Sequence, residues 1–328
     1  FFFKQKTAYE IVSRDWSSDV CSSDLMRIFL TGATGQIGSA VFDALIRAGH
    51  EVVALVRTPH KAEGITRRGG IALVGDLADA PTYFDAAVAS DGIIHAAFDA
   101  KVGADLDRHT TSTLLAAAAR RAESGLESAF IYTSGTWVLG DAPEPVDETA
   151  PLAPPEIVAW RPGVEQAVLG AARDGLRTMV VRPGTVYGGA RGLIADMLKE
   201  AGNGLVRVVG KGTNHWSCVY DRDLADLYVR LIGHAGASGV YHATDEADER
   251  LEDIVEAIVG HARMRPDVRL MPLPEARAKL GMLAEALALD QRVRSVRARE
   301  LGWAPTLHSV AGNVARLLEE FRDAREAA

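Results

Sequence analysis

A glycine-rich segment, TGATGQIG at residues 31–38, directly follows a short apolar run. Gly32 permits a tight turn at the end of a strand, Gly35 lets the backbone approach a diphosphate, and Gly38 lets a new helix pack closely against a sheet. A helix that begins near Gln36 offers unpaired N–H groups and the positive end of its dipole to an anion. The segment therefore predicts a nucleotide-binding turn, and an ordinary strand–helix turn is the alternative.

The end of the next apolar run indicates which nucleotide binds. Arg57 stands where a carboxylate would accept hydrogen bonds from the 2′-hydroxyl group of an unphosphorylated ribose. Its planar guanidinium group instead matches a 2′-phosphate, and Lys61 adds a second positive charge. NADP is therefore the predicted cofactor and NAD the alternative, while Arg57 as a plain surface cation would favour neither. Asp76, in GDLAD, is expected either to accept from the adenine amino group or to cap the next helix.

Six short apolar runs alternate with helix-like stretches along the chain. They lie at 27–31, 52–57, 71–75, 92–97, 129–134 and 178–183. The runs are rich in β-branched residues and lack a polar face, as strands do when both faces of a sheet are covered. Such strand–helix alternation predicts an α/β fold with a Rossmann-type, doubly wound parallel sheet.

The alternation ends after Tyr187. We assign residues 26–188, together with about 218–242, to an NAD(P)-binding domain. Residues 189–217 and 243–328 are irregular and then helical in their apolar spacing. We assign these two ranges to a smaller C-terminal lobe that binds substrate.

Residues 1–25 show neither helical periodicity nor strand alternation, and two stretches in them resemble translated sequencing-adapter DNA. We interpret this segment as non-native, with Met26 as the start of the protein; a natural disordered arm is the alternative. Outside it Cys218 is the single cysteine, so no internal disulfide is expected and a reducing, cytoplasmic setting fits. The net charge of −8 and the lack of a basic block argue against a nucleic-acid partner, and no apolar window would span a membrane.

The motifs are similar to those of the short-chain dehydrogenase/reductase superfamily, in its extended branch of NAD(P)-dependent epimerases and dehydratases. TGATGQIG resembles the glycine motif of that branch, GDLAD its adenine-side segment, IIHAAF its fourth strand, YTSGTWVLG its fifth strand and VVRPGTVYGG the segment beside the nicotinamide. CVYDRDLADLYV, GVYHATDE and VRARELGWAP resemble later segments, so the resemblance covers nearly all of 26–328. It implies a cofactor site formed by Gly32, Thr34, Gly35, Gln36, Ile37, Gly38, Arg57, Asp76, Leu77, Ala96, Ala97, Pro183 and Val186.

The resemblance also implies hydride transfer to or from the nicotinamide. In that chemistry a Tyr, whose pKa is lowered by a Lys four residues later, moves the proton, and a Ser or Thr orients the substrate oxygen. This chain departs from the pattern, because Trp160 and Val164 occupy the Tyr and Lys positions and no Tyr is followed by Lys at that spacing. Gly135 occupies the usual Ser/Thr position. The chain therefore resembles atypical members of the superfamily.

Other side chains are candidates for the missing role. Ser134 and Thr136 flank Gly135 and could bind a carbonyl oxygen, or they could simply cap the strand end. Tyr187 follows the sixth run and is expected near the nicotinamide, with a packing aromatic as the alternative. Arg161 and Glu165 have the i,i+4 spacing of an ion pair on a solvated helix face.

Trp160, His215 and Trp216 are candidates for substrate binding, although a core tryptophan and a surface histidine are the alternative. The histidines are scattered, so no protein metal site is predicted. The predicted function is an NADP-dependent oxidoreductase or epimerase that acts on a small carbonyl, hydroxyl or sugar-like substrate with atypical proton-transfer residues. A non-catalytic NADP(H)-binding sensor is the alternative; the missing Tyr/Lys pair favours it, whereas the C-terminal lobe favours the enzyme. The resemblance further implies a homodimer through helices around 103–124 and 158–173.

Overall fold

The computed structural model of the chain describes residues 25–326, so the proposed non-native segment 1–25 lies outside the described residues except for Leu25. The strands are β1 Arg27–Thr31, β2 Glu51–Val56, β3 Ile71–Val74, β4 Gly92–His95, β5 Ser128–Thr133, β6 Ala142–Val146, β7 Leu176–Pro183, β8 Thr185–Tyr187, β9 Leu205–Val209, β10 His215–Trp216, β11 Cys218–Tyr220, β12 Gly239–Ala243, β13 Glu249–Arg250, β14 Asp267–Met271 and β15 Gln291–Val293. The α-helices are α1 Gln36–Arg47, α2 Pro59–Arg67, α3 Phe84–Val88, α4 Ala104–Glu123, α5 Arg161–Gly170, α6 Leu193–Gly202, α7 Asp221–Gly233, α8 Leu251–His261, α9 Leu273–Leu280, α10 Leu283–Leu287, α11 Val296–Glu300 and α12 Val314–Glu326. Short 3₁₀ helices cover Ala80–Thr82, Thr136–Leu139, Glu156–Val158 and Ala311–Asn313.

A seven-stranded parallel sheet forms the centre of the molecule, with the strand order β12-β7-β5-β4-β1-β2-β3. The chain runs outward from β1 through β2 to β3 and then returns to β4 on the other side of β1. This reversal opens a crevice at the carboxyl ends of β1 and β4, where such sheets bind ligands. The predicted Rossmann-type α/β fold is confirmed, and each of the six predicted strands corresponds to a strand of this sheet.

Both faces of the sheet are covered, which explains why its strands have no polar face. Ile28 and Leu30 of β1 pack with Val41 of α1 in one apolar core. Phe29, between them, packs with Leu114 of α4 in the core on the opposite face. Because successive residues of a strand point to opposite faces, a continuously apolar sequence is what a doubly covered sheet requires.

A second group of elements has an apolar core of its own. Leu198 of α6, Ile254 of α8 and Phe321 of α12 meet there. Small parallel pairs join distant parts of the chain around this core, with β9 beside β14 and β6 beside β15. The domain boundaries drawn from the sequence stay a prediction.

Helix α5 is held to the sheet by a buried ion pair. Glu165 is only 2% exposed, and its Oε2 atom lies 2.5 Å from Nη2 of Arg182 in β7. The prediction of a solvated Arg161–Glu165 pair is therefore wrong. A carboxylate on the sheet side of α5 needs a buried cation, which Arg182 supplies, and this leaves Arg161 to turn elsewhere.

A buried carboxyl group, Asp245, lies directly beyond β12. Its Oδ2 atom is 3.1 Å from the hydroxyl oxygen of Tyr187, which is also 3.2 Å from the carbonyl oxygen of Leu307. Burial, reinforced by the nearby carboxylate Glu249, raises the pKa of Asp245 to about 7. The Tyr187 hydroxyl and the backbone N–H of Ala247 donate to this carboxyl group, and both bonds oppose the rise in its pKa without cancelling the effect of burial.

Replacing Asp245 with Asn should flatten the pH dependence of stability. The folded pKa of Asp245 lies above its ordinary value of 3.8, so its contribution to stability is complete below about pH 3.8 and is lost as the pH rises through about 7. Asp245→Asn keeps the hydrogen-bonding shape without the charge. Urea unfolding at several pH values should show the free energy of unfolding declining less between about pH 4 and 8 than in the wild type.

Asp253→Asn, at an exposed position in the first turn of α8, is the matched control and should keep the wild-type slope. Equal slopes in all three proteins would contradict the assignment of a buried, protonated Asp245.

Candidate functional site

A cleft of about 780 Å³ lies at the carboxyl ends of β1, β2, β3 and β4. We call it the Gly32 cleft. Of the residues predicted to bind a cofactor, the following line it: Gly32, Thr34, Gly35, Gln36, Ile37, Arg57, Asp76, Leu77, Ala96 and Ala97. These residues come from widely separated parts of the chain, and the topology of the sheet brings them to one edge.

The turn from β1 to α1 depends on glycine at two positions. Gly32 has φ +79°, and a Cβ atom on it would lie 2.5 Å from the carbonyl oxygen of Ala96. A Cβ atom on Gly38 would lie 2.1 Å from the carbonyl oxygen of Gly32. Gly38 does not line the cleft. Its missing side chain lets α1 begin directly behind the turn.

The amino end of α1 is open to the Gly32 cleft. Gly35 caps the helix without a side-chain acceptor, and the first turn carries no acidic residue. The first N–H groups of a helix have no partner within the helix, so these donors are available to a ligand. The positive end of the helix dipole at the same place favours an anion, and a diphosphate group fits this cradle.

Charged side chains of both signs line the Gly32 cleft. Its cations are Arg57, Lys61 and Lys101, and its carboxylates are Asp76 and Asp99. Nη1 of Arg57 lies 2.9 Å from Oδ2 of Asp99, but 61% of the Arg57 side chain is still exposed, so this group can turn towards a ligand. Asp76 uses Oδ1 to accept from the backbone N–H of Ala78, which closes a local turn rather than capping a helix.

A second cavity of about 330 Å³ continues from the first, since Gln36, Ile37 and Phe98 line both. We call it the Trp160 pocket. The predicted cofactor residues Pro183 and Val186 lie here, together with Ser134, Thr136 and Trp160. The side chain of Gln36 donates to the carbonyl oxygen of Val186 over 2.9 Å and so ties α1 to this pocket.

Ser134 is a polar residue of the Trp160 pocket whose side chain lacks a hydrogen-bond partner among the described residues. It is 7% exposed, and its Oγ atom has no hydrogen-bond partner within residues 25–326. Buried hydroxyl groups in folded proteins are normally hydrogen-bonded, so an unsatisfied one in the wall of a cavity is a candidate partner for a ligand oxygen. Thr136 is also buried and lies at the start of a short 3₁₀ helix, with its side chain beside Ser134 in the lining.

Arg161 enters the same pocket, which the sequence did not indicate. Its Nη1 atom donates to the carbonyl oxygen of Thr133 at 3.0 Å and lies 3.3 Å from the hydroxyl oxygen of Tyr132. Its guanidinium carbon is 4.7 Å from the Trp160 ring centroid and 5.4 Å from that of Phe98. The available signal was its position directly after Trp160, at the residue where α5 begins.

Three side chains that the sequence placed in the site lie elsewhere. Tyr187 is buried, its hydroxyl is hydrogen-bonded, and burial together with the Asp245 charge raises its pKa far above the ordinary value. Nδ1 of His215 lies 2.8 Å from Oδ1 of Asp290, and the indole N–H of Trp216 donates to a backbone carbonyl in the C-terminal part. None of the three lines the Gly32 cleft or the Trp160 pocket, so this placement does not favour the catalytic role predicted for Tyr187 or the substrate-binding roles predicted for His215 and Trp216.

Comparison with known proteins agrees with this architecture. The model of the NAD dependent epimerase/dehydratase family matches residues 28–243. An uncharacterised protein of Schizosaccharomyces pombe is 32% identical in sequence, and the match covers 86% of this chain and 95% of that protein. The 4-hydroxy-2-methyl-3-oxo-4-farnesyl-3,4-dihydroquinoline-1-oxide ketoreductase of Stigmatella aurantiaca is 27% identical, covering 83% and 85%.

The crystal structure of Thermus thermophilus UDP-glucose 4-epimerase in complex with NAD has the same fold, with a TM-score of 0.75, 23% sequence identity, and coverage of 91% of this chain and 100% of that one. The glycine turn, the order of the strands and the match to the family model therefore all indicate the same family. The chain belongs to the NAD dependent epimerase/dehydratase family.

Proposed function

We propose that this protein is an NADP-dependent oxidoreductase or epimerase that acts on a small carbonyl or hydroxyl compound. The observation that carries the proposal is the continuity of the Gly32 cleft with the Trp160 pocket through Gln36, Ile37 and Phe98. A ligand in the pocket would lie against the inner end of a dinucleotide in the cleft. The alternative, an NADP(H) sensor without turnover, gives no reason for a second cavity with an unsatisfied buried hydroxyl group.

Different residues of the Gly32 cleft would bind different parts of the cofactor. The N–H groups at the start of α1 would hold the diphosphate, and Arg57 with Lys61 would hold the 2′-phosphate. Pro183 and Val186 would flank the nicotinamide where the two cavities join. When bound, the nicotinamide supplies or accepts a hydride.

The residues of the Trp160 pocket would position the substrate. Ser134, supported by Thr136, would donate a hydrogen bond to the substrate oxygen. Trp160 and Val164 cannot take over proton transfer, because an indole N–H is a poor acid and the Val164 side chain packs in an apolar core. Water would therefore donate or accept the proton at the substrate oxygen.

Two further expectations remain proposals. A homodimer would form through α4 and α5, the helices that correspond to the ranges implied by the resemblance. A cytoplasmic location fits the cysteine content outside the first 25 residues. Among residues 25–326, no helix has both the length and the apolar character that crossing a bilayer requires.

Turnover tests the proposal directly. The full chain should bind NADPH and oxidise it when given a suitable member of a panel of small aldehydes and ketones, which is followed as the loss of absorbance of the reduced nicotinamide. The Ser134→Ala variant should lower the rate by about tenfold to a hundredfold while it leaves NADPH binding unchanged. Tight NADPH binding with no turnover across a broad panel would favour the sensor instead.

Cofactor preference should depend on Arg57. Arg57→Asp replaces two donors to a phosphate with a repelling charge, so the affinity for NADP should fall by about tenfold or more, while the affinity for NAD should change by less than about threefold. Titration calorimetry with both cofactors measures this. Arg67→Asp, at an exposed position of α2 that does not line the Gly32 cleft, is the control with the same charge change. An equal loss of both affinities in Arg57→Asp would refute the assignment.

A further inference from the structure

Three aromatic side chains contribute to the largely apolar lining of the Trp160 pocket. The rings of Phe98 and Trp160 are nearly parallel, with an interplanar angle of 11° and centroids 5.8 Å apart. Phe98 remains 49% exposed although it lines both cavities, and Trp137 adds a third aromatic side chain to the pocket. Flat apolar rings pack well against aromatic side chains, in offset-stacked or edge-to-face arrangements.

Arg161 brings a positive charge into this pocket without direct contact to a carboxylate of the described residues. It makes no ion pair with any carboxylate of residues 25–326, and its hydrogen bonds there all use Nη1. The two bonds of Nη1, to Thr133 and Tyr132, fix the orientation of the guanidinium plane. Within the described part of the chain, nothing accepts from the opposite edge, which Nε and Nη2 form.

The support for Arg161 is itself buried. Tyr132 is fully buried, and its hydroxyl donates to Oδ2 of Asp107 at 2.8 Å. Tyr132 therefore accepts from Arg161 on one side and donates to a buried carboxylate on the other. This chain orders the arginine without neutralising its charge by direct contact. A guanidinium edge with two parallel N–H donors matches the two oxygens of a carboxylate.

The lining of the pocket argues against a nucleotide sugar. Among residues 25–326, Arg161 is the single charged residue of this lining, whereas a second diphosphate would need several cations. The hydroxyl groups of a hexose would also need many polar partners, because burying them unpaired is unfavourable. Gln36 already donates to Val186, which leaves few side chains for that purpose.

We propose that the Trp160 pocket binds an aromatic oxo acid: the ring lies against Phe98 and Trp160, the carboxylate on the Nε/Nη2 edge of Arg161, and the ketone oxygen at Ser134. Arg161 is then a specificity-determining residue for the substrate carboxylate. This inference rests on the proposed function, since it names the substrate class of the same site.

Binding of a matched pair of ligands tests the inference without turnover. Phenylpyruvate carries the carboxylate, and phenylacetone has a methyl group in its place. With the full chain saturated by NADP, which cannot reduce either ketone, titration calorimetry should show phenylpyruvate binding at least about tenfold more tightly than phenylacetone, or about 1.4 kcal/mol. UDP-glucose should bind more weakly than phenylpyruvate.

Variants of Arg161 assign the effect to the guanidinium group. Arg161→Met should lower the affinity for phenylpyruvate by about tenfold or more, and it should change the affinity for phenylacetone by less than about threefold. Arg161→Lys keeps the charge but not the two-donor edge, so it should give an intermediate affinity for phenylpyruvate. Arg120→Met is the matched control, because Arg120 also lies over an aromatic ring, that of Phe84, but lines neither cavity.

Each outcome decides something different. Failure of NADP to bind would overturn the proposed function itself. Two results would overturn this inference alone, provided that NADP binds normally. In the first, phenylpyruvate binds no more tightly than phenylacetone; in the second, UDP-glucose binds more tightly than both. If Arg161→Met does not fold, as judged by its NADP affinity and thermal unfolding, the ligand pair on the wild type and on Arg161→Lys decides the question.

Discussion

The close approach of the β1–α1 turn to β4 is the constraint on which the rest of the site depends. The carbonyl oxygens of Ala96 and Gly32 occupy the space that side chains at positions 32 and 38 would need. With glycine there, α1 begins directly at the sheet edge, and its unpaired N–H groups face the cleft between β1 and β4. A larger residue would push the helix back and remove both the donors and the dipole from the place where an anion can use them.

A second constraint positions the substrate end. Helix α5 carries Arg161 at its first residue, directly after Trp160, and its Glu165 is bound to Arg182 of β7 in the interior. Breaking one partner of such a buried pair typically costs about 3–5 kcal/mol, so the pair fixes where α5 lies on the sheet. The start of this helix brings Trp160 and Arg161 to the pocket. The ion pair inside the protein thus positions the side chains at the substrate end.

Much of the fold and the cofactor end could be predicted from the sequence because the signals there are local. The strands follow from continuous apolar runs, and the turn follows from glycine spacing after β1. The orientation of individual side chains could not be predicted in the same way. Tyr187 follows a strand near the cleft, yet it turns into the second core towards Asp245, which is distant in sequence.

The position of Arg161 in the pocket could not be predicted from the sequence either. Its spacing to Glu165 suggested a surface pair, but the partner of Glu165 lies on β7, and the contacts of Arg161 lie at the end of β5. The spacing of residues along a helix indicates which residues share a face, but it does not indicate which face is buried. His215 and Trp216 were likewise placed by their neighbours along the chain, whereas their hydrogen bonds go to residues about 70 positions away.

The central claim is that a dinucleotide diphosphate binds at the amino end of α1, and a crystal structure of the full chain with NADP tests it most directly. We predict phosphate oxygens within hydrogen-bonding distance of the backbone N–H groups of residues 36–38, with the 2′-phosphate beside Arg57. A diphosphate bound away from this turn, or crystals grown with saturating NADP or NAD that contain no dinucleotide, would contradict the account.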